Sequence, residues 1–216
     1  MNKQQKYFVT GWHHSGTTVV QHAIALQLGF NIQERLPESF FGDKMGLARI
    51  RKAPSNGPRF IEEMYKIIDS KKRNIHVVLV IRDANELISS LYRRGTDKEL
   101  PSTLPGGIKI EMENYAEVLK FLVDVFTKSY NNYTVIDLRS FVEDPISHLE
   151  RLGFKNPINV EKTSNSKRPK DTDHEELRAW QTKQRISKDI VQPATKKYPE
   201  SLQIEKYHTI LKNNGH

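Results

Sequence analysis

The stretch IHVVLVI, Ile75 to Ile81, leaves a chain of this kind few ways to fold. It is apolar at every position except His76, and most of its residues are β-branched. A strand wetted on one side alternates apolar with polar residues. This one does not, so both faces must be covered, as in the centre of a parallel sheet flanked by helices. KYFVTG (Lys6 to Gly11) reads as a second buried strand running into a glycine turn. TTVVQHAIALQL (Thr17 to Leu28) reads as a helix, with Gly29 placed to end it.

The rest of the chain keeps this alternation. A helix is expected over Arg59 to Asp69. Asp83 is set to cap another helix running to Arg94, with Glu86 completing a D-x-x-E box. GTDKELPSTLPGG (Gly95 to Gly107) is a loop by its Pro and Gly content, and Glu111 to Tyr130 a long amphipathic helix. YTVIDL (Tyr133 to Leu138) is a strand, and EDPISHLERLGF a capped helix with Pro145 first and Gly153 as its stop. KTSNSKRPKDTD (Lys162 to Asp173) is polar and basic, either a linker or a loop that orders over an anion. The C-terminal part is helical around LRAWQTKQ and ESLQIEKYHTILK. The expected class is α/β, a three-layer P-loop fold with a central parallel sheet flanked by helices. With no internal repeat or domain boundary, residues 1–216 are expected to form a single domain.

Composition narrows the partners. The longest purely apolar run, Val77 to Ile81, is far too short to span a bilayer, and the N-terminal segment has no signal-peptide core. No membrane insertion is expected. The chain has no cysteine, which excludes disulfides and cysteine metal sites, and a cytoplasmic location is the default expectation. A net charge of +8 favours an anionic partner, although a basic solvated surface would carry the same charge. Without paired zinc ligands, an aromatic RNA-binding strand or basic heptads, nucleic acid is not the expected partner.

GWHHSGTT, Gly11 to Thr18, nearly fits the phosphate-loop frame G-x-x-x-x-G-K-[ST]. Gly11, Gly16 and Thr18 are in place, but Thr17 stands where the lysine belongs. The amides of Ser15, Gly16, Thr17 and Thr18 are expected to converge on one concavity at a helix N-terminus, where dipole and free N–H groups favour an anion. Without the lysine that reaches β- and γ-phosphates, a triphosphate is disfavoured while a cradle for one phosphate remains. His14 would restore positive charge if protonated. At the end of the other buried strand, Arg82 emerges on the binding edge, and Ser90 follows two helical turns later. A guanidinium there suits a phosphate, although pairing with Asp83 or Glu86 is the common alternative.

These pieces together resemble the PAPS-dependent sulfotransferases, whose donor is 3′-phosphoadenosine 5′-phosphosulfate. HHSGTT is similar to the family's 5′-phosphosulfate loop, RDANELISSLY to its 3′-phosphate motif with Arg82, Ser90 and Tyr92 in register, and VIDLRSFVEDPISHLERLGF to its later strand-helix segment. AWQTKQRIS and IEKYHTILKNNG resemble its terminal helices, so the likeness spans most of the chain. The resemblance implies that His13, His14, Ser15, Gly16, Thr17 and Thr18 surround the 5′-phosphosulfate, with Arg82 and Ser90 on the 3′-phosphate. Lys167 and Arg168 would match, by composition and position, the basic segment that closes over that phosphate. Two departures stand out: His14 replaces the usual Lys or Arg, and Val19 the adenine-stacking tryptophan of many cytosolic members.

The implied activity is in-line sulfuryl transfer from PAPS to a hydroxyl or amine, leaving PAP. A sulfuryl group carries less charge than a phosphoryl group, so no metal is expected to be required. His14 would stabilise the leaving phosphate. Glu38 is the candidate general base, ahead of Glu34 and Asp43, with His13 as the alternative. Tyr92, Trp12 and Trp180 are expected to pack rather than react. The acceptor site is expected to be shaped by Asn31 to Pro58 and Gly95 to Gly107, for a small-molecule or glycan hydroxyl. The rival readings are a small-molecule or nucleotide kinase on the same architecture, and a non-catalytic protein that binds PAP or PAPS.

Overall fold

The computed structural model describes residues 5–12, 15–28, 50–54, 75–87, 107–128, 130, 132–157, 199 and 201–215. The chain runs β1 (Lys6–Gly11), α1 (Thr17–Gln27), β2 (Ile50–Pro54), β3 (Ile75–Ile81), α2 (Gly107–Lys128), β4 (Tyr133–Asp137), α3 (Leu138–Glu143), α4 (Pro145–Arg151) and α5 (Ser201–Asn214). The strands form one four-stranded sheet in the order β2-β1-β3-β4, with every pairing parallel.

The two-faced burial expected of Ile75–Ile81 is present, and it divides the core in two. Phe8, Val77, Leu79, Ile81, Tyr133 and Val135 point to one face and pack with α2 and α5. Tyr7, Val9, Val78, Val80 and Ile136 point to the other and pack with α1, α3 and α4. Alternation along each strand therefore serves two cores, which is why the strands carry so few polar residues. Each fully buried large side chain here contributes about 1.5–3 kcal/mol by its removal from water. Phe126 of α2 stacks on Tyr133 with ring centroids 4.3 Å apart. On the other side, the Tyr7 hydroxyl donates to the Leu152 carbonyl at 3.1 Å and ties β1 to the end of α4.

Local signals place most boundaries. Asp83 accepts from the Glu86 amide at 2.9 Å and caps the helical turn at 84–87. Asp144 accepts from the Ser147 amide, and Pro145 takes the first position of α4. Gly153, at φ 88°, closes α4: its amide donates to the Glu150 carbonyl, and that of Phe154 to Leu149.

Four expectations are revised. β2 was not anticipated, because Ile50–Pro54 carries Arg51 and Lys52 and becomes a strand only by pairing with β1. The strand at Tyr133 stops at Asp137, whose carboxylate caps a separate helix, α3, at Arg139 and Ser140. α2 begins at Gly107 rather than Glu111, since Ile108 continues the apolar period of Met112, Tyr115 and Leu119 one turn back. The D-x-x-E box is only half formed, as Glu86 turns its carboxylate to arginines instead. The expected helices at Arg59 to Asp69 and around LRAWQTKQ, the loop at 95–106 and the segment Lys162 to Asp173 lie outside the described residues.

Candidate functional site

In the order β2-β1-β3-β4, the chain leaves β1 in one direction for β2 and returns on the other side for β3 and β4. The carboxyl ends of β1 and β3 therefore flank the switch point, where open α/β sheets bind their ligands. Gly11 ends β1 there, and Arg82 follows the last residue of β3.

The loop after Gly11 is shaped by two glycines. A Cβ on Gly11 would collide with the Val80 carbonyl oxygen of β3 and stand 2.5 Å from Ser15 Oγ, so the loop can close only over a bare Cα. Gly16 takes the left-handed conformation, φ 97° and ψ 15°, and serves as the N-cap of α1 without a side-chain hydrogen bond. The Ser15 amide donates to the Trp12 carbonyl at 3.0 Å. This corrects the expectation that Ser15 offers its amide to the concavity, because the turn that starts the loop uses that N–H itself. The amides of Thr17 and Thr18 open α1 and have no partner within the helix. Ser15 instead offers its hydroxyl: it is fully buried, and Oγ has no hydrogen-bond partner among the described residues. A buried donor without a partner is costly, and an anionic oxygen seated in the loop would satisfy it. The loop thus fits a phosphate-like group on its own geometry.

Trp12 is buried and stacks on Tyr115 of α2, with centroids 5.1 Å apart. The Tyr115 hydroxyl lies 2.8 Å from His208 Nε2 on α5. Burial pushes the phenol far above its usual range, with Asp137 and then Asp83 adding to the shift. Burial, with Lys212 adding to it, lowers His208 to about 4 against the opposing pull of Asp137. The histidine is therefore neutral, and its Nε2 and the Tyr115 hydroxyl share one hydrogen bond whose direction follows the imidazole tautomer. The loop rests on this pair through Trp12, so the indole packs rather than faces a substrate.

Arg82 is 3 % exposed. Its Nε lies 3.6 Å from Glu86 Oε2 one turn on, as the common alternative for this arginine anticipates. The other Glu86 oxygen accepts from Nη2 of Arg139, in the first turn of α3. That partner had no signal in the sequence. Register explains it: Ile81 pairs with Asp137, so the residues just after β3 and β4 sit side by side. Leu138, next to Asp137, packs beneath Gly16. Among the described residues, no group of three or more His, Asp or Glu is arranged to hold a metal ion.

Of the expected site residues, Ser15, Gly16, Thr17 and Thr18 stand on the loop and the start of α1, and Arg82 on the neighbouring strand end. His13, His14, Glu38, Ser90, Lys167 and Arg168 lie outside the described residues, as do Glu34, Asp43, Tyr92 and Trp180.

No family model matches the sequence, and no curated protein matches it. Solved structures do. Mouse sulfotransferase SULT7A1, in a structure complexed with PAP, aligns with 99% of this chain and 85% of its own at 11% identity, TM-score 0.44. A sulfotransferase domain from the curacin biosynthetic pathway aligns with 95% of this chain and 97% of its own at 13% identity, TM-score 0.58. On that likeness, with the parallel sheet and its glycine loop, the chain has a sulfotransferase-like fold.

Proposed function

We propose that this protein is a sulfotransferase that moves the sulfuryl group of PAPS to a hydroxyl or amine of a small-molecule or glycan acceptor. One observation carries the reading: in a sulfotransferase-like fold, a lysine-free glycine loop, whose buried Ser15 hydroxyl has no partner among the described residues, adjoins the strand that Arg82 follows. The Thr17 and Thr18 amides and the Ser15, Thr17 and Thr18 hydroxyls hold the 5′-phosphosulfate. Arg82 and Ser90 hold the 3′-phosphate, and Lys167 and Arg168 close over it.

In the reaction the acceptor oxygen bonds to sulfur as the bond from sulfur to the 5′-phosphate oxygen breaks, leaving PAP. The acceptor proton passes to a base, Glu38 in this reading. Positioning and charge stabilisation supply the rate. His14, within the Gly11 to Thr18 segment, stabilises the departing phosphate as a cation or hydrogen-bond donor.

The test is transfer of labelled sulfate from PAPS to a panel of hydroxyl and amine acceptors, in buffer containing EDTA. Transfer that His14→Ala and Glu38→Ala each lower by about a hundredfold or more, about the least that a positioned acid or base contributes, supports the reading. A protein that does not bind PAP, or that instead hydrolyses or transfers from ATP with Mg²⁺, overturns it.

A further inference from the structure

The arrangement around Glu86 contains more than one arginine needs. Its carboxylate is 5 % exposed, and burying such a charge costs several kcal/mol unless cations and hydrogen bonds compensate. Two guanidinium groups do so, Arg82 on one oxygen and Arg139 on the other. Two guanidinium groups meet this one carboxylate, while the flanking Asp83 and Asp137 carboxylates cap helical turns and Asp137 also pairs with Lys212. The two arginines are not equally exposed. The Arg82 side chain is 4 % exposed, whereas that of Arg139 is 48 % exposed. Arg139 spends Nη2 on Glu86 and its backbone N–H on Asp137 Oδ1, and its other guanidinium N–H groups have no hydrogen-bond partner among the described residues. The Glu86 bond, then Glu143 and Asp137 at longer range, hold its guanidinium charged, and the Asp137 carboxylate is already taken by Lys212 and two amides.

We propose that Arg139 is a second anion-binding guanidinium of this site, oriented by Glu86 beside Arg82, and that it contacts the 3′-phosphate of the donor nucleotide. The inference rests on the donor reading above. Glu86 is then a positioning residue: it touches no ligand and holds Arg82 at one carboxylate oxygen and Arg139 at the other, so that the half-exposed Arg139 meets the phosphate from solvent. A guanidinium suits this task because one edge can bond the carboxylate and the other an oxyanion.

The experiment is calorimetric titration of the full-length protein with PAP and with AMP, which lacks only the 3′-phosphate. Wild type, Arg139→Gln and Arg139→Lys are compared. Arg139→Gln is expected to weaken PAP by about tenfold or more and AMP by less than about twofold, so that discrimination between the two collapses. Arg139→Lys is expected to recover part of that loss, as a point charge replacing a fork. A merely structural counter-ion to Glu86 predicts the opposite pattern, PAP and AMP weakened equally or neither affected, and either result overturns the inference. Should Arg139→Gln fail to fold, Arg139→Lys decides alone, since unchanged discrimination there overturns it too. Wild-type protein that binds no PAP sinks the donor reading and this inference together. Wild type that binds PAP, with discrimination untouched by both variants, sinks this one alone.

Discussion

Leu138 lies directly beneath Gly16. A Cβ on that glycine would stand 2.5 Å from Leu138 Cδ1 and 2.8 Å from Cδ2. Leu138 is fully buried as the first residue of α3, and the Asp137 cap holds it there. The shape of the glycine loop after β1 is thus set partly from the end of β4, two strands away. Gly16 answers two demands at once, a left-handed backbone and a side-chain-free contact.

The two demands separate in a double-mutant cycle. Gly16→Ala is expected to destabilise by about 2–5 kcal/mol, combining about 1–2 from left-handed backbone with about 1–3 from overpacking. In a Leu138→Ala background the overpacking disappears and only about 1–2 kcal/mol should remain. Urea unfolding of the four proteins checks this. Equal costs in both backgrounds would mean that Leu138 does not crowd the loop.

Asp137 does two jobs that its variants distinguish. Its Oδ1 caps α3, and its Oδ2 accepts from Lys212 Nζ at 3.0 Å. Asp137→Asn keeps a capping oxygen and loses only a half-exposed ion pair, so a cost within about 1 kcal/mol is expected. Asp137→Ala loses the cap as well, and should cost about 1 kcal/mol more than the Asn variant. Thermal unfolding at two salt concentrations separates the contributions, because only the ion pair is screened.

His208 makes stability depend on pH. Its folded value, about 4, lies below the usual 6.5, so the unfolded chain binds the proton more readily between them. Its stabilising effect is complete above about pH 6.5 and is lost as pH falls towards 4, with an upper bound of roughly 3 kcal/mol. His208→Gln should flatten this part of the stability–pH curve relative to wild type. Tyr115→Phe should cost about 1–3 kcal/mol by leaving the buried Nε2 without its hydrogen-bond partner, while keeping the stack under Trp12. A wild-type curve that parallels His208→Gln from pH 7 to 4 would disprove the assignment.

Glu86→Gln leaves two arginines around a neutral side chain, one of them buried. A loss of roughly 3 kcal/mol is expected, far above a surface pair, and largely insensitive to salt because the group lies out of solvent. Chemical denaturation at low and high ionic strength checks both statements, and a cost under about 1 kcal/mol would place Glu86 among ordinary surface charges.

The sequence by itself determined whatever is decided within a few residues or by simple periodicity. Apolar runs located β1, β3 and β4, glycine spacing located the loop, and Asp83, Asp144, Pro145 and Gly153 marked helix ends, because caps act over one to four residues. The pairing of Arg82 with Glu86 was visible for the same reason, being one helical turn long. Tertiary structure alone decided the rest. Arg51 and Lys52 became part of a strand because β1 offered an open edge, and the Glu86 carboxylate met Arg139, 53 residues on, because parallel register set the ends of β3 and β4 side by side. Leu138 came to lie under Gly16 in the same way. Such contacts have no local signature, since the free energy that selects them exists only once the sheet has brought both partners to one edge.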